Sequence, residues 1–179
     1  MYLNFLDEFK IMIKILDDFF SKNVLKKIQN HIVTNIYYTP RWMDKEKTKE
    51  NYYGDRFILN NDLKLKKTFV KQAENKFKIK IKKLDNDSGI DLRNLDHFKP
   101  HTDPFKINIL IMLYGPIAVT NGTVFYDGSL KNYRLDMHVG FKPNRAILFP
   151  SNWVHSNHAS NIPNLKRYTA SLFITDYEE

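Results

Sequence analysis

Residues 106–114 read Lys-Ile-Asn-Ile-Leu-Ile-Met-Leu-Tyr, and this stretch decides the fold class. The run is almost continuously apolar, which is typical of a strand buried on both faces. From residue 90 onward the chain continues as short β-prone segments separated by turn signals such as Pro143-Asn144. A last strand is predicted at Arg167–Thr175. The C-terminal half is therefore predicted to be β-structure.

The N-terminal half carries helical signals instead. Ser21 can cap a first helix, and a second amphipathic helix fits from about Asp62 to Asn75. The residues predicted to face inward are Val24, Leu25, Ile28 and Ile32 in the first helix, and Leu63, Phe69, Val70 and Ala73 in the second. Flanking strands are predicted at Phe9–Leu16 and Phe77–Lys82, because apolar residues recur there at every second position.

Two helices followed by about six to eight short strands indicate a mainly β fold, a β-sandwich or jelly roll with the N-terminal helices packed on the outside. The chain has 179 residues, which suits one domain better than two. Within a single domain 1–179, we expect a helical support over about 1–84 and a β core over about 90–179. The aromatic, charged segment Tyr37–Gly54 fits either an ordinary loop or a lid over a substrate.

Composition limits the class of protein. Lysine and arginine number 28 against 20 acidic residues, a net charge of +8. This favours anionic partners, nucleic acid included, although an A/T-rich genome would also produce a chain rich in Lys, Asn and Ile. No cysteine is present, so a metal would need nitrogen and oxygen ligands. No apolar run is long enough to span a membrane and no secretory signal is recognisable, so we expect a cytoplasmic protein.

A histidine and a carboxylate two positions apart, in His101-Thr102-Asp103, form the first chemical signal. In an extended chain such residues point to the same side and can converge on one point, although a simple His–Asp hydrogen bond would look the same. A second imidazole follows at His155, after the apolar strand Ala146–Phe149 and a Pro turn. Two imidazoles and one carboxylate leave three octahedral metal positions open, as in non-haem Fe(II) oxygenases.

A cationic strand gives the second signal. Arg167, Thr169 and Ser171 share one strand face, while Tyr168 and Ala170 share the other. A guanidinium flanked by hydroxyls suits a carboxylate, because arginine offers paired donors in a fixed fork. A surface arginine on an edge strand is the alternative. The histidines and Asp upstream favour the binding role.

Taken in order, these segments resemble the double-stranded β-helix core of the 2-oxoglutarate/Fe(II) dioxygenases, and their prolyl-4-hydroxylase-like branch in particular. The matching segments are HTD at 101–103, the strand 107–114, GTVFY at 122–126, RAILFP at 145–150, WVH at 153–155 and RYT at 167–169. The stretch IKILDDFF at 13–20 resembles the start of that branch. One departure is Asn121-Gly122-Thr123, where the family often has Gly-Gly before Thr or Glu.

The resemblance implies a jelly-roll, cupin-like core that holds Fe(II), with no catalytic residue beyond the metal site. The implied iron ligands are His101, Asp103 and His155. It also implies that Arg167 binds the distal carboxylate of 2-oxoglutarate, assisted by Thr169, and that Tyr114 is either a third contact or a core residue. Dioxygen is the co-substrate, with ascorbate as an additional factor. The implied reaction is hydroxylation of a C–H bond, in a prolyl or other peptidyl residue by analogy with the branch.

Several alternatives stay open at the level of sequence. His158 could replace His155 as a ligand, although Trp-x-His after an apolar strand is the matching context. His97 is a less favoured ligand than His101, His138 is expected to be exposed, and His31 is assigned no role. A non-redox cupin-like isomerase or binding protein would not need Arg167. A basic nucleic-acid-binding module would use Lys78, Lys80, Lys82 and Lys83. Peptides, proteins and small metabolites are the favoured partners, and no membrane partner is expected.

Overall fold

A computed structural model describes residues 13–42, 52–94, 99–158 and 166–179. These residues form two helices, α1 (Lys22–Thr34) and α2 (Leu63–Phe77), and a short 3-10 turn at Leu59–Asn61. The strands are β1 (Lys14–Leu16), β2 (Thr39–Trp42), β3 (Tyr52–Ile58), β4 (Lys80–Leu84), β5 (Gly89–Asn94), β6 (Ile107–Tyr114), β7 (Ala118–Ser129), β8 (Asn132–Phe141), β9 (Ala146–Pro150), β10 (Val154–His158) and β11 (Lys166–Glu178). The mainly β prediction is confirmed.

The strands form two antiparallel sheets. The major sheet has the order β1-β9-β6-β11-β5-β3-β2, and β4 pairs with the C-terminal part of β11. The minor sheet has the order β10-β7-β8. An apolar cluster lies between them, with side chains from both sheets. Its buried members are Met112, Phe125, Val139, Phe141, Ile147 and Phe149. This is the predicted jelly-roll core.

Strand β6 is buried on both faces, as its sequence predicts. Ile107, Ile109 and Ile111 point toward the helices and are fully buried, whereas Met112 belongs to the cluster between the sheets. Burying one isoleucine contributes about 1.5–3 kcal/mol, so this short strand is a large part of the core. The helices add their own apolar stripes to the same outer layer. These stripes are Ile28 and Ile32 in α1, and Leu65, Phe69, Ala73 and Phe77 in α2.

The helix caps agree with the sequence, whereas parts of the inward faces do not. Ser21 caps α1 through a bond from the Val24 N–H, but the Val24 side chain is 36% exposed. Asp62 caps α2, which places Leu63 in the first turn ahead of the buried stripe, and Leu63 is 71% exposed. Phe77 was predicted to open a strand. It instead ends α2, where Lys78 adopts a left-handed conformation that stops the helix.

Some predictions fall partly outside the described residues. Of the strand predicted at 9–16, the structure describes β1 alone, and residues 9–12 lie outside. The same holds for residues 43–51 of the proposed lid and for His97. In the described parts of the chain, no helix is long and apolar enough to cross a membrane.

Asn144 ties the N-terminal segment to the β core. It occupies the predicted turn before β9 with a φ of 72°, a region that favours Asn or Gly. Its buried amide accepts a hydrogen bond from the Phe20 N–H at 2.8 Å and donates one to the Phe20 carbonyl at 2.9 Å. Because Phe20 is itself buried, this amide fixes the entry to α1.

Replacing Asn144 with Ala should destabilise the protein by about 2–4 kcal/mol, because two buried hydrogen bonds are lost and the left-handed backbone becomes strained. Asn144→Gly is the matched control, since it loses the same amide but tolerates the backbone angle. We expect the free energy of unfolding of Asn144→Gly to be about 1 kcal/mol higher than that of Asn144→Ala. Urea unfolding followed by circular dichroism measures both. Equal stability of the Ala variant and the wild type would contradict this role.

Candidate functional site

The segment before β6 is held against β10 by backbone hydrogen bonds. The His101 N–H donates to the His155 carbonyl at 3.0 Å, and the His155 N–H returns the bond at 2.9 Å. Two residues further on, the Asp103 N–H donates to the Ser151 carbonyl at 2.9 Å. An extended chain in this register brings His101 and Asp103 to the same side as His155.

The three side chains meet at one point. Their potential ligand atoms all lie within 4.8 Å of one another. The His155 Nε2 is 3.3 Å from Asp103 Oδ2, and the His101 Nε2 is 3.9 Å from Asp103 Oδ1. Within the described residues, no other group of three His, Asp or Glu side chains converges in this way. The structure therefore brings together the three residues predicted to bind a metal.

The outer ring nitrogens orient both imidazoles. Nδ1 of His101 is 3.0 Å from the Lys99 carbonyl, and Nδ1 of His155 is 2.9 Å from the Trp153 carbonyl. A carbonyl only accepts, so each Nδ1 carries a proton, and each Nε2 faces Asp103 with either a lone pair or a second proton. A lone pair facing a carboxylate is unfavourable unless a cation lies between them. The cluster thus requires either an additional proton or a metal ion.

The electrostatics favour the protonation states that a metal needs. Burial, and then the neighbouring His155, lower the pKa of His101 to about 4. Burial alone would raise the pKa of Asp103, but its hydrogen bond to His155 and the influence of both imidazoles hold that pKa below its ordinary value. At neutral pH the site therefore offers a neutral imidazole at His101 and an ionised carboxylate at Asp103.

A buried amide supports the carboxylate. Asn108 Nδ2 donates to Asp103 Oδ2 at 2.6 Å, and Asn108 Oδ1 accepts from the Ser151 hydroxyl at 2.8 Å. Asn108 and Ser151 are both buried. The sequence analysis did not assign Asn108 a role. The available signal was that Asn108 is the one polar residue inside the apolar run 107–114.

The cluster of His101, Asp103 and His155 opens into a cavity of about 510 Å³ between the sheets. One face of β11 lines it with Arg167, Thr169 and Ser171, the face that the sequence predicts. The opposite face of β11 packs through Tyr168 and Ala170 into the apolar core between the major sheet and the helices. The alternation of the strand thus separates the polar cavity wall from the core.

Arg167 is a buried cation without a carboxylate partner among the described residues. Its side chain is 4% exposed, and Nη1 donates to Asn121 Oδ1, to the Gly122 carbonyl at 3.1 Å and to the His158 carbonyl at 3.4 Å. Burial lowers the pKa of Arg167 to about 9, so the guanidinium remains charged at neutral pH. All three hydrogen-bond partners are neutral, so no directly bonded carboxylate compensates the buried positive charge.

Asn121 has an unsatisfied buried donor next to Arg167. The residue is fully buried, and its Nδ2 has no hydrogen-bond partner in the described structure. An orphan buried N–H costs about 1–3 kcal/mol unless a ligand accepts from it. The sequence analysis noted Asn121 as a departure from the family pattern and gave it no role. Arg167 lines this end of the cavity, and Asn121 lies directly behind it, bonded to its guanidinium.

Tyr114 lies away from the cavity. It pairs with Tyr168, whereas Met112 pairs with Thr169, so residue 113 is an extra residue that bulges β6. The bulge shifts Tyr114 to the outer side, where its ring lies 5.9 Å from the ring of Tyr168 and its side chain is 48% exposed. It is neither a cavity residue nor a buried core residue, and we leave it out of the site.

The other histidines that the structure describes lie outside the cluster. His158 is exposed, and its ring lies 5.3 Å from the ring of the exposed His138. His31 bonds to Asp62, the cap of α2, at 2.9 Å. The structure thus places His155, and not His158, beside His101 and Asp103.

A scan against protein-family models gives no match, and a search of curated proteins gives none. Solved structures do match. SnoN, a non-haem α-ketoglutarate-dependent epimerase from nogalamycin biosynthesis, superposes with a TM-score of 0.63 at 10% identity, covering 92% of this chain and 79% of that chain. A prolyl hydroxylase from Trichoplax adhaerens gives 0.58 at 13% identity, covering 92% and 83%. A 2OG-Fe(II) oxygenase family oxidoreductase from Burkholderia pseudomallei gives 0.59 at 10% identity, covering 93% and 84%. These likenesses establish a shared fold.

Asn108→Ala should weaken metal binding by about 10- to 100-fold, because the Asp103 carboxylate loses the donor that fixes its orientation. Anaerobic titration with Mn(II) against a chromophoric chelator measures the affinity. Asn132→Ala, at an exposed position of β8, is the control and should bind as the wild type does. Unchanged affinity in Asn108→Ala would show that the amide serves packing alone.

Proposed function

We propose that this chain is a 2-oxoglutarate- and Fe(II)-dependent oxygenase that hydroxylates a C–H bond of its substrate. One observation carries the proposal: the His101, Asp103 and His155 cluster and the uncompensated Arg167 guanidinium open into the same cavity. A metal cluster alone would suit a cupin-like isomerase, and a buried arginine alone would suit any carboxylate-binding protein. Their combination suits a co-substrate that chelates a metal at one end and carries a carboxylate at the other.

The donor set fits Fe(II). Two imidazole nitrogens and one carboxylate oxygen are the ligands that such iron sites use, and they leave open positions for a bidentate co-substrate and dioxygen. The residues that would hold the iron are His101, Asp103 and His155. The ring of His155 also packs edge-to-face against Phe149, with centroids 4.9 Å apart, which fixes its orientation from the core side.

The other end of the cavity fits a carboxylate. Arg167 would bind the distal carboxylate of 2-oxoglutarate, with Asn121 as a second donor and Thr169 lining the same wall. A bound carboxylate would compensate the buried guanidinium and satisfy the orphan amide of Asn121 together. Between the two ends, apolar side chains such as Leu110 and Phe141 line the cavity and limit the entry of water.

When bound, iron, 2-oxoglutarate and dioxygen would supply the oxidising chemistry. The protein's own residues would bind and orient the iron and 2-oxoglutarate and shield them from water. Asn108 holds Asp103 in place, the Lys99 and Trp153 carbonyls hold the two imidazoles, and Arg167 sets the position of the co-substrate. No further side chain of the cavity is needed as a proton donor or acceptor in this scheme.

A prolyl or other peptidyl residue is our proposed target. The prolyl hydroxylase among the solved structures with this fold supports that choice, although an epimerase shares the fold too. The basic strand β4 gives little support to a nucleic-acid-binding module. Its lysines lie outside the cavity, and Lys82 is paired with Glu178 at 2.8 Å.

Under anaerobic conditions, Fe(II) with 2-oxoglutarate should produce a weak visible charge-transfer band in the wild type, because a chelated 2-oxo acid needs two open metal positions. His155→Ala should abolish the band, whereas His158→Ala, a matched histidine on the same strand, should retain it. The reverse pattern would show that His158 is the ligand. Absence of the band from the wild type would end the proposal.

Arg167→Gln should weaken 2-oxoglutarate binding on the order of a hundredfold, because truncating one member of a buried charged pair costs about 2–5 kcal/mol. Isothermal titration of the Mn(II)-loaded protein measures the change. Lys166→Gln removes a neighbouring exposed charge and should leave the affinity unchanged. Similar affinity in the Arg167 variant and the wild type would favour the cupin-like alternative, which does not need this residue.

A further inference from the structure

A second pair of histidines lies close together, apart from the cavity cluster of His101, Asp103 and His155. The two residues are His138 in β8 and His158 in β10, and their ring centroids are 5.3 Å apart. Both side chains are exposed. The proposed function uses the imidazoles of the cavity cluster and leaves this second pair without a role.

Strand alternation places the second pair on the outer face of the minor sheet. Val139 follows His138 directly and packs into the apolar cluster between the sheets, so His138 points the opposite way. His155 faces the cavity, and His158 lies three positions further along β10, on the other face. The backbone of the minor sheet therefore separates the second pair from the cavity.

Strand β7 runs between the two histidines and leaves room for their rings to approach. His158 pairs with Gly122, and His138 pairs with Val124. Position 122 has no side chain that could stand between the rings. It also tolerates none, because a Cβ there would overlap the Val139 carbonyl. The side chains of the two flanking strands can therefore lean toward each other across Gly122.

The separation of the rings matches two imidazoles bound to one tetrahedral metal ion. A zinc–nitrogen bond is about 2.0–2.1 Å and the ring centre lies about 1.1 Å beyond the nitrogen, so each centroid would be about 3.2 Å from the ion. At a tetrahedral angle of about 109°, two such centroids are about 5.2 Å apart. At an octahedral angle of about 90°, they are about 4.5 Å apart. The observed 5.3 Å agrees with the tetrahedral value.

The cavity cluster gives a comparison within the same molecule. The rings of His101 and His155 are 4.4 Å apart, which agrees with the octahedral value. The two pairs of imidazoles therefore differ in the sense expected for an octahedral ion inside the cavity and a tetrahedral ion on the outer face of the sheet.

The chemistry of the second pair suits zinc. Neutral imidazole is a preferred ligand of Zn(II), and water can complete the tetrahedron. Partial burial, and then the neighbouring His158, lower the pKa of His138, so this imidazole is neutral at neutral pH. Both side chains reach solvent, so their rings can turn about the side-chain bonds and direct one nitrogen each toward a shared ion.

We propose that His138 and His158 form a second metal site, which binds Zn(II) on the outer face of the minor sheet. This site is separate from the proposed oxygenase reaction and does not depend on it. An ion bound by both imidazoles would join β8 to β10 across β7. Strand β10 also carries His155, and its His158 carbonyl accepts a hydrogen bond from Arg167, so the ion would stabilise a strand that supports the cavity.

The test is a titration of untagged protein with Zn(II) against a chromophoric chelator. We expect the wild type to bind two equivalents, because zinc also suits the ligands of the cavity cluster. His138→Ala and His158→Ala should each weaken one equivalent by about tenfold or more, since two ligands on one protein bind at a high effective concentration. His31→Gln removes a histidine outside both sites and is the control, which should bind as the wild type does. A single equivalent in the wild type, or two unweakened equivalents in His138→Ala, would overturn the inference.

Thermal unfolding in the His155→Ala background isolates the second site from the cavity cluster. Zn(II) should raise the Tm of this variant above its value in EDTA, because the ion binds the folded state, and adding His138→Ala should remove the increase. No zinc-dependent increase in His155→Ala would contradict the second site. The proposed function is tested separately, since absence of the charge-transfer band with Fe(II) and 2-oxoglutarate would end it and leave the zinc site standing. Circular dichroism of each variant confirms that the fold is retained.

Discussion

The backbone pairing between His101 and His155 is the contact on which the site depends. Two hydrogen bonds join the segment before β6, a strand of the major sheet, to β10 of the minor sheet. Without these bonds, the two imidazoles would belong to segments of different sheets, and the distance between the rings would not be fixed. These bonds bring together two side chains that are about fifty residues apart in the sequence. A third hydrogen bond, from the Asp103 N–H to the Ser151 carbonyl, positions the carboxylate beside the two rings.

The alternation of strand side chains then divides the major sheet into two environments. On the outer face, isoleucines of β6 and Ala170 and Leu172 of β11 pack under the helices. On the inner face, the same strands and their neighbours carry polar side chains into the cavity. Burying the Arg167 guanidinium without a carboxylate partner among the described residues is unfavourable, and a bound anion would compensate this cost. Such an arrangement is typical of binding sites.

Local signals in the sequence predicted a large part of this. The apolar run of β6, the cap at Ser21 and the turn at Asn144 each depend on the residue itself or on near neighbours, and the structure contains all three. Alternation predicted that Arg167 and Thr169 share one face of β11, and the upstream His and Asp residues favoured a binding role for that face, which lines the cavity. These features need no knowledge of what lies opposite them in space.

The features that the sequence did not predict depend on distant partners. The bulge at residue 113, which moves Tyr114 out of the cavity, arises from the register between β6 and β11. Leu63 looked apolar enough to be buried, but the position of the α2 cap left it exposed. Asn108 and Asn121 are ordinary residues until Asp103 and Arg167 lie beside them. Residue propensities and local patterns do not predict contacts between residues that are distant in the sequence.

The net charge of the chain is another property whose structural meaning depends on where the residues lie. The excess of basic residues indicates anionic partners without saying where they bind. The structure separates two populations. Lysines such as Lys82 and Lys106 lie on the surface, paired with exposed carboxylates in contacts that salt would screen. Four of the six arginines, Arg41, Arg56, Arg93 and Arg167, instead line the cavity, where a planar fork can bind a carboxylate or phosphate. The surface lysines therefore bear on solubility, and the four arginines bear on what the cavity binds.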